Sequence, residues 1–416
     1  QKGLSRTKIK NGLGRDIFRI ELDPLLHQEC IRALNSITDS FGLKRVRWQI
    51  KQADALREPY SHTFDFVVGN PPYVSYWDLE KSEREYIEGK YSASQYGAWD
   101  YSYAFLQDGF NHLSSTGKMT YIIPNSIFKT KSGRRIRALL RPYLTEVIDF
   151  TTTNVFEKVL TSPAIIIINR STRSEQIVYK DLSPRQESTV NRENLNDEWL
   201  FGCKEQAPEL QHRFGDYFRV ATSIATQCNS VYVLTNCSDD GEYLICDGKK
   251  IEKSVVRKAA SPKGKARGTT EYIIFPYYYS DGILKHYDES IFKKKFPFAY
   301  AYLESKKEIL NKRDADKNSQ WFEFGRSQAL THINQNKLLI STVITGKLHV
   351  YPLDIEDIPY SGIFVTIREC ADELPLTEAM AILNSSEFLE YLQPRGINAR
   401  GKSIRITTKN VADYCW

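Results

Sequence analysis

The run Thr63-Phe64-Asp65-Phe66-Val67-Val68-Gly69, closed by Asn70-Pro71-Pro72-Tyr73, constrains this chain more than any other segment. A short apolar run rich in β-branched and aromatic residues reads as a buried strand. Two prolines end it at once, because each fixes its own φ, lacks a ladder donor and restricts the residue before it. A stiff turn therefore sits at the carboxyl end of the strand. It offers the amide side chain of Asn70, the carbonyl of Pro71 and the ring of Tyr73. Two acceptors and a ring suit a planar group with an exocyclic amino group. The plain alternative is a strand-ending Pro-Pro turn with Asn70 as a local cap.

The flanking sequence repeats the arrangement. Arg15 to Asp23 reads as a strand ending in acids, followed by a helix that starts at Pro24 with Asp23 as its cap. Trp48 to Leu56 reads as another strand, with Asp54 just past its end. Glu21, Asp54 and Asn70 then line the crevice at the strand ends where open α/β sheets bind ligands. An acid after the second strand of such a sheet can accept both hydroxyls of a ribose. Glu21 as a surface acid and Asp54 as a helix cap are the simpler readings. Helical patterns over Gln28–Phe41, Tyr101–Leu113 and Arg134–Tyr143, with a strand over Glu146–Phe150, continue the alternation. The segment 76–99 reads either as a cover over the substrate or as a plain surface loop.

These residues resemble the amino-group DNA adenine methyltransferases, closest to the gamma-type enzymes with a TaqI-like C-terminal specificity domain. Beyond the tetrapeptide, Asp100-Tyr101-Ser102-Tyr103-Ala104-Phe105-Leu106 resembles the family's next helix, and Gly117 to Asn125 its fifth strand. Val155 to Val159, followed by Ser162 to Ile168, resembles its aromatic loop and next strand. The resemblance implies a doubly wound, Rossmann-like methyltransferase sheet and a second, mixed α+β target-recognition domain. It implies domains over 1–180 and 215–416, joined by a linker over 181–214. The family's first motif, an Asp-Pro-x-x-Gly-x-Gly-x-Phe type loop, is absent upstream of Glu21; Gly12-Leu13-Gly14 reads as a turn instead. The expected sheet thus lacks its first strand and glycine loop, and the expected chain is the C-terminal part of a longer protein.

By the same resemblance the chain is a site-specific methyltransferase of a restriction-modification system. It moves a methyl group from S-adenosylmethionine to the N6 amino group of a flipped adenine in double-stranded DNA. Asn70, Pro71, Pro72 and Tyr73 form the catalytic turn, and Tyr73 and Phe156 stack on the base. Glu21 binds the cofactor ribose, Asp54 the cofactor adenine amino group, and Phe105 packs on that adenine. Phe105 and Phe156 also fit as ordinary core residues. No metal is required. An upstream nuclease domain or a separate restriction subunit is the expected partner of a monomeric chain in a prokaryotic cytoplasm. Two other readings stay open: an RNA or protein-glutamine amino-group methyltransferase, and a DNA-binding specificity module with an inactive methylase half.

Charge bears on the partner. The 416 residues carry a formal net charge of +6, mildly basic and compatible with nucleic acid. Lys249, Lys250, Lys253, Arg257, Lys258, Lys263, Lys265 and Arg267 crowd one stretch against Glu252 alone. Such a run can track phosphates, or form a solvated mobile loop. Lys263, Lys265 and Arg267 are the candidate DNA contacts, and Arg326 and Gln328 the candidate base readers, since both side chains can bind a purine bidentately. An ordinary structural turn is the simpler reading of Arg326 and Gln328. The seven cysteines show no C-x-x-C spacing, which predicts reduced thiols. No apolar stretch is long enough to span a bilayer.

Overall fold

The computed structural model describes residues 3–60, 62–150, 162–182, 186–202, 212–368, 374–399 and 403–416. The chain divides into two units, the first comprising Gln1–Asp149, Pro163–Asp181 and Arg185–Glu198, the second dominated by Trp199–Trp416.

The first unit alternates helices and strands: α1 (Arg6–Asp16), β1 (Phe18–Glu21), α2 (Pro24–Ser40), β2 (Gln49–Gln52), β3 (Phe64–Gly69), α3 (Lys81–Lys90), α4 (Ser102–Asn111), β4 (Leu113–Pro124), α5 (Arg134–Leu140), β5 (Leu144–Asp149), β6 (Pro163–Asn169), β7 (Gln176–Asp181) and β8 (Gln186–Asn191). Helix α2 starts where the sequence predicts. The Asp23 carboxylate accepts from the N–H groups of Leu25 and Leu26 at 2.7 and 3.0 Å, and Pro24 needs no donor there. Gly12-Leu13-Gly14 lies inside α1 rather than in a turn, and a Cβ on Gly14 would come within 2.7 Å of the Arg47 carbonyl.

The main sheet has six strands in the order β3-β4-β6-β5-β7-β8. β3 runs parallel to β4, and β5 to β7; the β4–β6, β6–β5 and β7–β8 pairs are antiparallel. The β7–β8 hairpin occupies part of the expected linker, because Gln176–Asp181 and Gln186–Asn191 pair in full register. Met119, Ile123, Val147, Ala164, Ile166, Ile168 and Ile177 are buried in this sheet. Gly69 ends β3 because a Cβ there would meet the Tyr121 ring at 2.7 Å.

β1 and β2 form a separate parallel pair, with Glu21 opposite Gln52. β3 is an edge strand of the six-stranded sheet, and its Phe66 and Val68 are 74% and 81% exposed. The predicted buried strand is therefore bare on one side in this chain. Leu22, Leu25, Leu26, Ile37 and Phe41 are exposed nearby in sequence.

The segment 76–99 is not a plain surface loop. It holds a short 3-10 turn at Tyr76–Asp78, then α3, then a second at Ser92–Ser94. Tyr91, Ala93, Ser94 and Trp99 are buried, which ties it into the unit.

The second unit is mixed α/β. A four-stranded antiparallel sheet runs in the order Val350–Leu353, Lys337–Ile340, Ile363–Ile367, Phe218–Thr222. Another sheet of four carries Val256–Ala260 against Glu271–Ile274. Its main core gathers Tyr232, Phe275, Phe292, Phe296, Phe322 and Phe324. Cys237 and Cys246 face each other across an antiparallel pair and are joined by a disulfide, contrary to the reduced state predicted from spacing. Strand pairing brings together two thiols that sequence spacing did not link.

Candidate active site

The turn after β3 is held by its neighbours. The N–H of Tyr101 donates to the Val74 carbonyl at 2.9 Å, and Ser75 pairs with Asp100 in a short antiparallel bridge. Asp100 also caps the start of α4, accepting from the Ser102 N–H at 2.9 Å. Burial pushes the Asp100 carboxyl up, against the opposing hydrogen bonds from Ser102. Within this frame Asn70 is exposed, Pro71 buried and Pro72 exposed. Tyr73 is half-buried, and its hydroxyl is enclosed with no hydrogen-bond partner among the described residues. Burial, aided by the Asp100 charge, pushes that phenol up to about 12, so it stays protonated at neutral pH. The turn thus presents an amide to solvent from a rigid backbone.

Glu21 and Asp54 lie just at and beyond the carboxyl ends of neighbouring parallel strands. The Ala53 N–H donates to the Glu21 carbonyl at 3.1 Å, which fixes the two ends together. The Glu21 carboxylate accepts from Arg19 Nη2 at 2.8 Å and from the Asp23 N–H at 3.2 Å. Burial pushes this carboxyl up, but the Arg19 and backbone hydrogen bonds outweigh it and the net shift is downward. An ionised carboxylate with one donor on each oxygen keeps acceptor capacity for a vicinal diol. Asp54 accepts from the Leu56 N–H at 2.9 Å and from Arg57 Nε at 3.1 Å. It therefore organises its own turn rather than capping a helix, since none starts there, and its carboxylate remains about one quarter exposed.

Phe105 lies on α4, half-buried, with the Tyr101 ring edge-on at 5.4 Å. The Tyr101 hydroxyl donates to Glu83 at 2.8 Å, and the other Glu83 oxygen accepts from Arg57. The carboxylate after β2 and the ring on α4 are thereby linked through Arg57, Glu83 and Tyr101. Sequence reading did not single out Arg57 and Glu83. They lie 26 positions apart, and no local pattern marks a non-local pair. A cleft of about 510 Å³ lies beside the same segment, lined by Tyr76, Trp77, Glu88, Gln95, Gly97 and Ala98. Phe156, the second expected stacking ring, lies outside the described residues.

The basic run of the second unit is ordered rather than a mobile loop. Lys249 and Lys250 sit on one strand and Arg257 and Lys258 on another. Lys263, Lys265 and Arg267 sit on a short helix, exposed. Ser261 caps that helix by accepting from the Gly264 N–H at 2.9 Å, and Gly268 ends it at φ +65°. Part of the charge is neutralised locally: Lys253 pairs with Asp239, Arg257 with Glu356, and Lys265 with Asp357 at 3.6 Å. Lys263 and Arg267 make no ion pair among the described residues. Arg326 is occupied by Asp314 at 2.6 Å and Asp316 at 2.9 Å, which favours the structural reading over base contact. Hydrogen bonding from Arg326 holds the Asp316 carboxyl below its usual range. Gln328 is exposed.

The fold is a Rossmann-like α/β unit with an additional mixed α/β unit. Residues 20–156 match the model of the Eco57I restriction-modification methylase family, which bears out the resemblance read from the sequence. The chain is 22% identical over 363 residues to the type II restriction enzyme and methyltransferase RM.Eco57I of Escherichia coli, covering 75% of this chain and 35% of that protein. It is 25% identical over 391 residues to the type II methyltransferase M.BstVI of Geobacillus stearothermophilus, covering 82% and 67%. Among solved structures, the type IIL restriction-modification enzyme MmeI in complex with DNA aligns with a TM-score of 0.63 at 16% identity, over 95% of this chain and 55% of that one. The chain thus spans between about one third and two thirds of the length of these relatives.

Proposed function

We propose that this chain carries the catalytic turn and the target-recognition domain of an S-adenosylmethionine-dependent DNA methyltransferase acting on the N6 amino group of adenine. The observation that carries the reading is the Asn70–Tyr73 turn, braced by Tyr101 and Asp100 and presenting its amide outward. A stacked adenine cannot be reached inside a duplex, so the base must be flipped out. The Asn70 side-chain oxygen and the Pro71 carbonyl then accept the two amino hydrogens. Accepting both localises the nitrogen lone pair, which is otherwise delocalised into the ring, and aims it for in-line displacement. The Tyr73 ring stacks on the base. S-adenosylmethionine, when bound, supplies the electrophilic sulfonium methyl. Glu21 would hold its ribose hydroxyls, Asp54 its adenine amino group and Phe105 the adenine face. The donor set supports this assignment, since Glu21 is ionised and retains free acceptor positions. The work of the chain's own residues is positioning and electrostatics.

The second unit would bind double-stranded DNA through Lys263, Lys265 and Arg267 and read sequence through groups that include Gln328. A nuclease, on the same polypeptide or a separate subunit, completes the restriction-modification reading.

The test is Asn70→Ala in the intact protein, with a methyl-transfer assay beside a DNA-binding titration. Because Asn70 acts on the amino group after flipping, transfer should fall by about 100-fold or more while DNA affinity stays within about threefold. Transfer within a few-fold of wild type would defeat the assignment.

A further inference from the structure

We infer that Arg57 is a positioning residue for cofactor recognition, joining both expected sides of the cofactor-adenine site through one guanidinium. The inference rests on the reading of Asp54 and Phe105 given above. Arg57 Nε donates to Asp54 Oδ2 at 3.1 Å, and its Nη2 donates to Glu83 Oε2 at 2.5 Å. The guanidinium lies over the Tyr86 ring, 3.9 Å from its centroid. Glu83 Oε1 accepts from the Tyr101 hydroxyl at 2.8 Å, and the Tyr101 ring abuts Phe105. The turn after β2 is bound to α3 a second time, because Tyr86, Tyr91 and Lys90 all donate to the Leu56 carbonyl.

Two features set this apart from an incidental surface ion pair. The guanidinium spends separate N–H groups on two carboxylates of different elements, a fork that lysine cannot reproduce. It also reaches the two groups expected at the adenine, the Asp54 carboxylate directly and the Phe105 ring at second hand, through Glu83 and Tyr101. Asp54 is held at one oxygen by Arg57 and at the other by the Leu56 N–H, so its remaining lone pairs point in a set direction. Without Arg57 the Asp54 carboxylate can rotate, and the Glu83–Tyr101–Phe105 side loses its anchor. Arg57 touches neither the methyl group nor the target base in this account. Its effect is on how well the site distinguishes an amino-bearing purine.

The experiment compares Arg57→Met, which keeps an unbranched apolar stem but loses the guanidinium over Tyr86, with Arg57→Lys and Glu83→Gln in the intact protein. Calorimetry measures binding of S-adenosylhomocysteine and of its hypoxanthine counterpart, which carries an oxygen in place of the amino group. No turnover is involved. Wild type should prefer the adenine ligand. Arg57→Met should cut that preference about tenfold, in line with loss of one charge-assisted hydrogen-bond restraint. Arg57→Lys and Glu83→Gln should give smaller losses in the same direction. Equal weakening of both ligands, or an unchanged preference in all three folded variants, would overturn the positioning role. Failure of Arg57→Met to fold leaves the other two variants to decide. A wild type without preference would instead defeat the assignment of Asp54, and this inference with it.

Discussion

Tyr73, the ring proposed to stack on the base, buries a hydroxyl that has no hydrogen-bond partner among the described residues. Leaving a buried hydroxyl without a partner costs about 1–3 kcal/mol. Tyr73→Phe should therefore be neutral or stabilising by up to about 1 kcal/mol in a denaturant titration, and should retain transfer within a few-fold. Tyr73→Leu, which removes the ring, should lose transfer by roughly tenfold or more, the worth of one stacking contact. A second residue-scale case lies in the other unit. Lys337 is fully buried, with Nζ donating to the carbonyls of Asp354 and Asp357 at 2.7 and 2.9 Å. Burial pulls its ammonium down to about 8, partly opposed by the charges of Asp357 and Asp354. The folded state thus releases this proton before the unfolded chain does, so stability rises as pH climbs from about 8 towards the ordinary lysine value. Wild type should gain stability relative to Lys337→Met between pH 7 and 9.5, by roughly 1–2 kcal/mol, in paired urea titrations. An equal response in both proteins would show that Lys337 does not set the alkaline limb.

At the scale of elements, the basic run and the β3 edge each differ from their sequence reading for a packing reason. The run is ordered because its residues lie on two strands, a 3-10 turn and a capped helix, and Asp239, Glu356 and Asp357 pair with three of its charges. Replacing Lys263, Lys265 and Arg267 together by Gln should weaken DNA binding alike for all sequences. The salt dependence of binding should flatten by closer to two counterions than three, because Lys265 already pairs with Asp357. Titration at three salt concentrations checks this; an unchanged slope would remove the helix from the DNA interface. The β3 edge shows the opposite effect. Phe64 to Val68 has the composition of a buried strand, yet Phe66 and Val68, which share one face of β3, are exposed because that face is left uncovered among the described residues.

At the scale of the whole molecule, no Asp-Pro-x-x-Gly-x-Gly-x-Phe type loop stands before Glu21 within residues 1–416. Backbone donors of that loop and the helix after it would hold the amino-acid end of the cofactor. Residues 1–416 by themselves should therefore bind S-adenosylmethionine only weakly, about tenfold or more below the affinity that such backbone donors would supply. Calorimetry showing micromolar affinity for residues 1–416 alone would contradict this and assign the missing donors to another segment.

Sequence alone was enough to find the strand-turn at Phe64 to Tyr73, the Asp23 cap with Pro24, and the α/β alternation of the first unit. Each depends on local chemistry: proline geometry, a short acceptor before a helix, or a repeating apolar period. Glu21 and Asp54 were legible for the same reason, as acids just at or past strand ends. What local pattern could not supply were pairings across the chain. The β7–β8 hairpin, the Cys237–Cys246 bridge, the Arg57–Glu83 link and the capture of Arg326 by Asp314 and Asp316 all depend on which segments meet in space. Burial followed the same rule. Phe66 and Val68 have core chemistry, but whether they are covered is decided by what packs on their face of the sheet, and tertiary structure alone answers that.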